Sequence, residues 1–247
     1  MDDYIKDWKR EEQIPFVGWD FSYLHGKMTE EKPPWDYKAL AKEYLSKSKS
    51  VLDMGTGGGE IFSSLEPFPP HAVAIEGYHP NFLLAKQKLE HLGVKVLFTQ
   101  ETAQLPFKEC EFDLVLNRHS GINVHEIARV VAKGGIFLTQ QVDGTNNIDL
   151  MRIFGVNPQW PDSTLEKNEK KFEEVGFTIL EKRNWEGKTV FNSVAALVYY
   201  LKSSPFIVPG FNVDKYLEEL KKLQERVNRG EELSFTNKRY LIVAEKI

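Results

Sequence analysis

Two rhythms of apolar and polar positions organise this chain. From Ser50 onward, short apolar runs of strand length alternate with stretches in which apolar residues recur every three or four positions. Residues 51–54, 72–76, 94–98, 112–116, 136–141 and 177–185 read as six strands. Residues 239–245 supply a seventh at the C-terminus, expected to be antiparallel and at the sheet edge. Leu40, Ala41, Tyr44 and Leu45 give residues 37–45 a helical period. Pro80 lies near the start of a helix whose Phe82, Ala85, Leu89 and Leu92 share one face before Gly93. Val124, Ile127, Ala128 and Val131 define another, expected to end at Gly134 and Gly135. Ser163 and Glu166 have the spacing of a capping box, and Gly176 closes the helix that follows.

The rhythm fails in two places. Residues 1–35 mix charges with Tyr4, Trp8, Phe16, Trp19, Phe21, Tyr23 and Trp35 and are broken by prolines and glycines, which reads as an irregular aromatic arm. It carries too many rings for a disordered tail, so it is expected to fold back over the main domain. Residues 187–233 hold two helical stretches, 190–201 and 213–229, an insertion without a strand period. Strands alternating with helices predict an α/β fold with a doubly wound, seven-stranded sheet, mostly parallel with an antiparallel C-terminal strand. One domain over 1–247 is expected. Its core is 50–186 and 234–247, 1–49 forms the arm and first helix, and 187–233 is the insertion.

Composition narrows the partners. With 41% hydrophobic residues the 247-residue chain can bury one sizeable core. Its 32 basic and 36 acidic residues leave a net charge of -4, so no global positive field draws it to DNA or to an anionic membrane. Lys221, Lys222, Arg226 and Arg229 recur along one helical stretch, but Glu218, Glu219, Glu225 and Glu231 interleave with them. A solvated, salt-bridged face is the expectation there, with RNA kept open as a partner. One cysteine excludes a disulfide framework and a cysteine-based zinc cluster, and no metal is expected. The charged first ten residues and the absence of a ~20-residue apolar run point to a cytoplasmic protein. The sequence does not set its oligomeric state.

The chemistry concentrates after the first strand, in Asp53, Met54, Gly55, Thr56, Gly57, Gly58 and Gly59. A strand running into such a turn brings backbone close to a ligand at a helix start. A dinucleotide turn has the spacing G-x-G-x-x-G. Here Glu60 stands where its last glycine belongs. Asp53, at the strand tip, would face a dinucleotide's pyrophosphate, a like-charge contact worth roughly 4 kcal/mol at 4 Å and an effective dielectric of 20. A cofactor bearing an ammonium and a sulfonium makes the same carboxylate attractive. Glu76 ends the second strand, where an acid can accept both hydroxyls of a ribose. Gly77 and Tyr78 follow, and Tyr78 either lies against an adenine or covers the sheet edge.

Taken in order, 51–59, then Leu105, Pro106 and Phe107, then 112–116, Glu126 to Val130 and the Gly134–Gly135 pair resemble the class I S-adenosylmethionine-dependent methyltransferases of the methyltransferase type 11 group. The resemblance spans 50 to about 142 and implies a Rossmann-like fold. It also implies that Asp53, Gly55, Thr56, Gly57 and Gly59 line the methionine and ribose end of S-adenosylmethionine, that Glu76 binds ribose, and that Glu101 and Thr102 approach adenine. Family members often have aspartate where Glu101 stands.

Methyl transfer from a sulfonium needs alignment, dehydration and, for a poorly ionised acceptor, a base. Residues just after the fourth strand sit beside the methyl in this architecture, which singles out Asn117, Arg118 and His119. Asn117 is placed with the cofactor. His119 is a candidate base, and Arg118 a candidate holder of an acidic acceptor. Bland roles compete: a loop cap for Asn117, a surface ion pair for Arg118, a backbone hydrogen bond for His119. This segment resembles neither an Asn-Pro-Pro-Tyr motif nor a cysteine nucleophile site. The arm and the insertion, with Trp35, Tyr37 and Phe206, are expected to form an aromatic lid suited to a small organic acceptor. Competing expectations are an RNA or protein methyltransferase and a non-catalytic S-adenosylmethionine-binding module.

Overall fold

A computed structural model describes residues 3–16, 20–100 and 104–247. In chain order the elements are α1 (Asp3–Gln13), a 3₁₀ turn (Ser22–Leu24), β1 (Met28–Glu30), α2 (Tyr37–Leu45), β2 (Ser50–Met54), α3 (Glu60–Ser63), β3 (His71–Glu76), α4 (His79–Leu89), a second 3₁₀ turn (Glu90–Leu92), β4 (Lys95–Phe98), β5 (Phe112–Arg118), α5 (Val124–Val130), β6 (Val131–Val142), α6 (Ile148–Ile153), α7 (Leu165–Glu174), β7 (Phe177–Phe191), α8 (Val194–Ser203), α9 (Leu217–Asn228) and β8 (Leu233–Lys246). Among the described residues, eight strands form a sheet in the order β1-β7-β8-β6-β5-β2-β3-β4. β2 pairs in parallel with β3 and β5, β3 with β4, and β5 with β6. β8 runs antiparallel to β6, and β1 antiparallel to β7. The chain winds outward from β2 to β4 and then returns to the other side of β2. Such a reversal opens a crevice at the C-terminal strand ends.

The expected α/β sheet is thus present, with an eighth strand. Several local expectations change. The arm contains a helix: Ile5 and Trp8 sit one turn apart and are buried, and so is Glu11, whose Oε1 accepts from Tyr23 Oη at 2.9 Å. Its many charged residues mask that face in the sequence. β8 lies between β6 and β7, not at the edge. β7 continues to Phe191, since Thr189 and Val190 suit a strand and pair with Glu30 and Thr29. Ser193 then caps α8 by accepting from Ala196 N.

Two punctuation marks also shift. Thr164, not Ser163, caps α7 and accepts from Lys167 N. Ser163 Oγ instead lies 3.4 Å from Tyr240 Oη. α5 ends at Val130, and Gly134 and Gly135 fall inside β6, where the register against β5 shifts between Phe112 and Leu114. Gly134 has φ 73, and a Cβ at Gly135 would lie 2.8 Å from Ala132 O. Both glycines therefore serve a bulge instead of a helix cap.

The chain divides into two compact units, 1–33 with 144–162 and 185–238, and 34–143 with 163–184 and 239–247. The first packs Trp8, Phe191, Leu197, Leu201 and Phe235 in its core. The second packs Leu52, Val115, Ile127, Phe137 and Phe172. No helix among the described residues is long and apolar enough to cross a membrane.

Candidate functional site

Every residue of β2 is buried, because the strand lies between β3 and β5. Asp53 is carried on it with only 8% exposure. The following turn folds through left-handed backbone at Gly55, Gly57 and Gly59, with φ of 69, 62 and 82. Gly55 N and Thr56 N both donate to Ile75 O, at 3.0 and 3.1 Å. The three glycines differ in what their missing side chains allow. A Cβ at Gly55 would strike the Ser120 side chain, and one at Gly59 would press on Leu89 at 3.0 Å. At Gly57 nothing stands within 4 Å. Only Gly57 among the three has the open space expected for close ligand approach; the other two serve internal packing. Glu60, at the position that excludes a dinucleotide turn, pairs with Lys88 Nζ at 2.6 Å.

Glu76 ends β3 with its side chain turned onto the glycine turn. Its Oε2 accepts from Gly57 N at 2.7 Å, and its Oε1 accepts from Gly77 N at 2.9 Å and Tyr78 N at 2.8 Å. A carboxylate has about four lone-pair sites, so one remains on Oε2 after these three amides. Glu76 therefore fastens the turn and keeps capacity for one further donor on that oxygen. Gly77 is constrained by Thr99 O, 2.9 Å from where its Cβ would stand. Tyr78 is half exposed at the start of α4.

Around Asp53 the structure gathers polar groups from three elements. Burial drives its carboxyl up to about 7; the Thr56 side chain pulls it back, the Glu76 charge pushes it up and Arg118 opposes the rise. Tyr37 Oη is buried without a hydrogen-bond partner; Thr56 Oγ1 is also buried and makes no well-formed hydrogen bond, although it acts on the Asp53 carboxyl. Tyr37 opens α2, and burial followed by the Asp53 charge pushes its phenol well above 10, with Arg118 opposing. An orphaned phenol, a threonine hydroxyl that acts on Asp53 and the buried carboxyl thus share one electrostatic neighbourhood. Buried polar atoms without partners are rare in native proteins and call for a physical reason. Tyr37 was expected near the acceptor; its coupling to Asp53 was not visible before the fold brought α2 and β2 together.

β5 ends in Asn117, Arg118 and His119. Asn117 is fully buried: its Oδ1 accepts from Gln141 Nε2 and from Thr139 Oγ1, the latter at 3.4 Å, and its Nδ2 donates to Gly121 O at 3.2 Å. Gln141 Nε2 also reaches Ser120 O at 3.1 Å. This network holds the segment 119–121 that packs on Gly55. Asn117 shapes the turn through internal hydrogen bonds.

His119 has φ 58, uncommon for a residue with a side chain. Its N–H donates to Gln140 O at 2.9 Å, and its Nε2 lies 3.1 Å from Gln140 Nε2. Trp35 Nε1 donates to Gln140 Oε1 at 2.7 Å. The His119 ring is open to solvent yet recessed among protein atoms, and its pKa falls well below 6.5. Crowding by protein contributes first, followed by the charges of Arg118 and Arg239. Solvent at the ring moderates the first cause and leaves the two arginines.

Glu101 and Thr102, expected at adenine, lie outside the described residues. The Leu105–Phe107 segment next to them is anchored by α5. Glu126 Oε2 accepts from Leu105 N at 2.6 Å, while Arg129 donates to Phe107 O at 2.6 Å and Leu105 O at 2.9 Å. The same arginine grips Glu126, so two separated sequence motifs form one clamp.

Residues 52–139 match the family model described as a methyltransferase domain. A curated relative, the ubiquinone biosynthesis O-methyltransferase of Maricaulis maris (strain MCS10), is 22% identical over 149 residues, covering 57% of this chain and 58% of that protein. The chain thus spans under two thirds of that relative's length. Among solved structures, a candidate methyltransferase of Bacillus halodurans C-125 superposes with a TM-score of 0.62 at 20% identity, over 85% of this chain and 98% of the other. A geranyl diphosphate methyltransferase in complex with SAM superposes with a TM-score of 0.53 at 12% identity, over 85% and 84%. Those likenesses establish the fold, and the matched segment contains the Asp53 turn, Glu76 and the end of β5. On segment and fold together, residues 52–139 are similar to a methyltransferase domain, and the chain has the fold of the methyltransferases it superposes on.

Proposed function

We propose that the chain binds S-adenosylmethionine at the C-terminal ends of β2 and β3 and transfers its methyl group to an oxygen, nitrogen or carbon atom of a small organic acceptor. The observation that carries this reading is the buried Asp53 carboxyl with the Thr56 hydroxyl and the orphaned Tyr37 phenol in its electrostatic neighbourhood. A ligand with an ammonium and several acceptor atoms supplies partners to all three. Asp53 would hold the ammonium, Thr56 and Tyr37 would donate to ligand oxygen or nitrogen, and the spare lone pair of Glu76 would take a ribose hydroxyl. When bound, the cofactor supplies an electrophilic methyl on a positively charged sulfur. The chain's residues orient acceptor and cofactor in line and exclude water.

Charge pairing supports a small acceptor over RNA. On and beside α9, Lys221 meets Glu218 at 2.9 Å, Arg226 meets Glu231 at 3.0 Å and Arg229 meets Glu231 at 2.7 Å. These cations face acids of their own chain. The curated relative is an O-methyltransferase by name, so hydroxyl acceptors are the first to assay. Incubation with methyl-labelled S-adenosylmethionine and fractionated cell extract tests the proposal. Label in a small-molecule fraction is the expected result; label in RNA or protein would replace the acceptor class. Cofactor binding with no label in any fraction would replace catalysis with a binding role.

A further inference from the structure

Trp35, Gln140 and His119 form a hydrogen-bonded row whose atom types leave one solution for the histidine. The indole Nε1 of Trp35 only donates, so the atom 2.7 Å from it must be the Gln140 amide oxygen. That fixes the orientation of the Gln140 amide and turns its Nε2, also a donor only, toward His119 Nε2 at 3.1 Å. Two donors cannot share that contact, so His119 Nε2 must be the acceptor and its proton must sit on Nδ1. Gln140 is 6% exposed and Trp35 7%, so solvent does not readily exchange for the bond between them. The same glutamine holds His119 by its backbone, accepting the His119 N–H at 2.9 Å and keeping the residue at φ 58.

We infer that Gln140, itself oriented by Trp35, is a positioning residue that locks His119 as a neutral Nδ1–H donor. His119 therefore holds an acceptor's electronegative atom by hydrogen bond and does not abstract its proton through Nε2. The charged groups known to act on the ring, Arg118 and Arg239, are both cationic and oppose an imidazolium in the same sense. Among the described residues, no side chain or carbonyl takes the Nδ1 proton, which leaves it open to solvent and to a bound molecule. The role in acceptor binding rests on the methyltransferase reading above; the tautomer does not. It follows that the favoured acceptors reach the site already ionised, or have a nucleophile that needs no base, since the lone pair a base would use is occupied.

Nitrogen-15 NMR of histidine-labelled full-length chain tests the tautomer directly, with His119→Asn identifying the signal among six histidines. The expected spectrum shows a protonated Nδ1 and an unprotonated Nε2, unchanged between pH 8 and pH 6. A proton on Nε2, or an ordinary titration near pH ~6.5, would overturn the inference. Gln140→Glu places a carboxylate against Nε2; it should move the proton to Nε2 and raise the histidine pKa by at least one unit. Trp35→Phe, which keeps the ring and removes the donor, should yield a mixture of tautomers. An unchanged wild-type tautomer in both variants would remove Gln140 from the role. These readouts need no turnover, so they stand or fall separately from methyl transfer. Where transfer is measured, Gln140→Glu should introduce an inflection into the pH dependence of kcat that the parent lacks; matching profiles would also contradict the inference.

Discussion

Glu76 Oε2 accepts the amide proton of Gly57 at 2.7 Å, tying the end of β3 to the middle of the glycine turn that follows β2. The residue expected to bind a ribose is therefore also the clasp of the loop that would surround it. Glu76→Gln keeps one acceptor oxygen and turns the other into an amide donor facing backbone N–H. We predict a loss of about 1 to 3 kcal/mol of stability by denaturant unfolding, together with weaker S-adenosylmethionine binding by calorimetry. Lower stability at unchanged affinity would leave Glu76 a purely structural role.

Asp53 sets a pH dependence whose sign is fixed. Its carboxyl is raised from 3.8 to about 7 in the fold, so between those values the folded chain keeps a proton that the unfolded chain releases. The resulting stability is complete below the lower value and is lost as pH rises through the upper one. Asp53→Asn removes that loss and should raise the melting temperature more at pH 8 than at pH 5. A cationic ligand binds the ionised carboxylate, so S-adenosylmethionine affinity should climb as pH passes through 7 in the parent and stay flat in Asp53→Asn. A flat parent profile would separate Asp53 from the ammonium.

Tyr37 offers opposite effects on stability and binding. Its buried hydroxyl has no partner in the protein, and a buried unsatisfied polar group is destabilising by about 1 to 3 kcal/mol. Tyr37→Phe should leave the ligand-free protein as stable or more stable while weakening S-adenosylmethionine binding. Thermal scans with and without ligand check both halves. An equal rise in both scans would mean that the hydroxyl never meets ligand.

Two glycines of one turn should fail differently. Gly55→Ala meets both a left-handed φ and the Ser120 side chain, whereas Gly57→Ala meets only the backbone preference. Gly55→Ala should lose markedly more stability by denaturant unfolding than Gly57→Ala, whose backbone strain is about 1 to 2 kcal/mol. Gly57→Ala should show its larger effect in cofactor affinity. Equal stability losses would contradict the packing assigned to Ser120.

Much of the second unit was legible because its signals are local. Residues 37–45 carry a helical period, and apolar runs ending in Asp53 and Glu76 place both acids at strand tips whatever the distant contacts. α1 was hidden because Ile5 and Trp8 are outnumbered by charges on its exposed faces. Gly134 and Gly135 misled because glycines after an apolar period suit a helix end as well as a bulge, and only the β5–β6 register distinguishes them. The Ser120 contact at Gly55 has no sequence pattern, because the two residues stand 65 positions apart. The Trp35–Gln140 bond joins residues 105 apart, and Tyr37 reaches Asp53 only through packing of α2. Neither has a sequence pattern to announce it.

The central claim is that the Asp53 neighbourhood is a site for S-adenosylmethionine. Calorimetric titration of that ligand into the parent chain and into Asp53→Asn at pH 8 tests it most directly. The account predicts saturable binding at one site in the parent and affinity at least about tenfold weaker in the variant, roughly 1.4 kcal/mol. No saturable heat in the parent, or equal affinity in the two proteins, would contradict it.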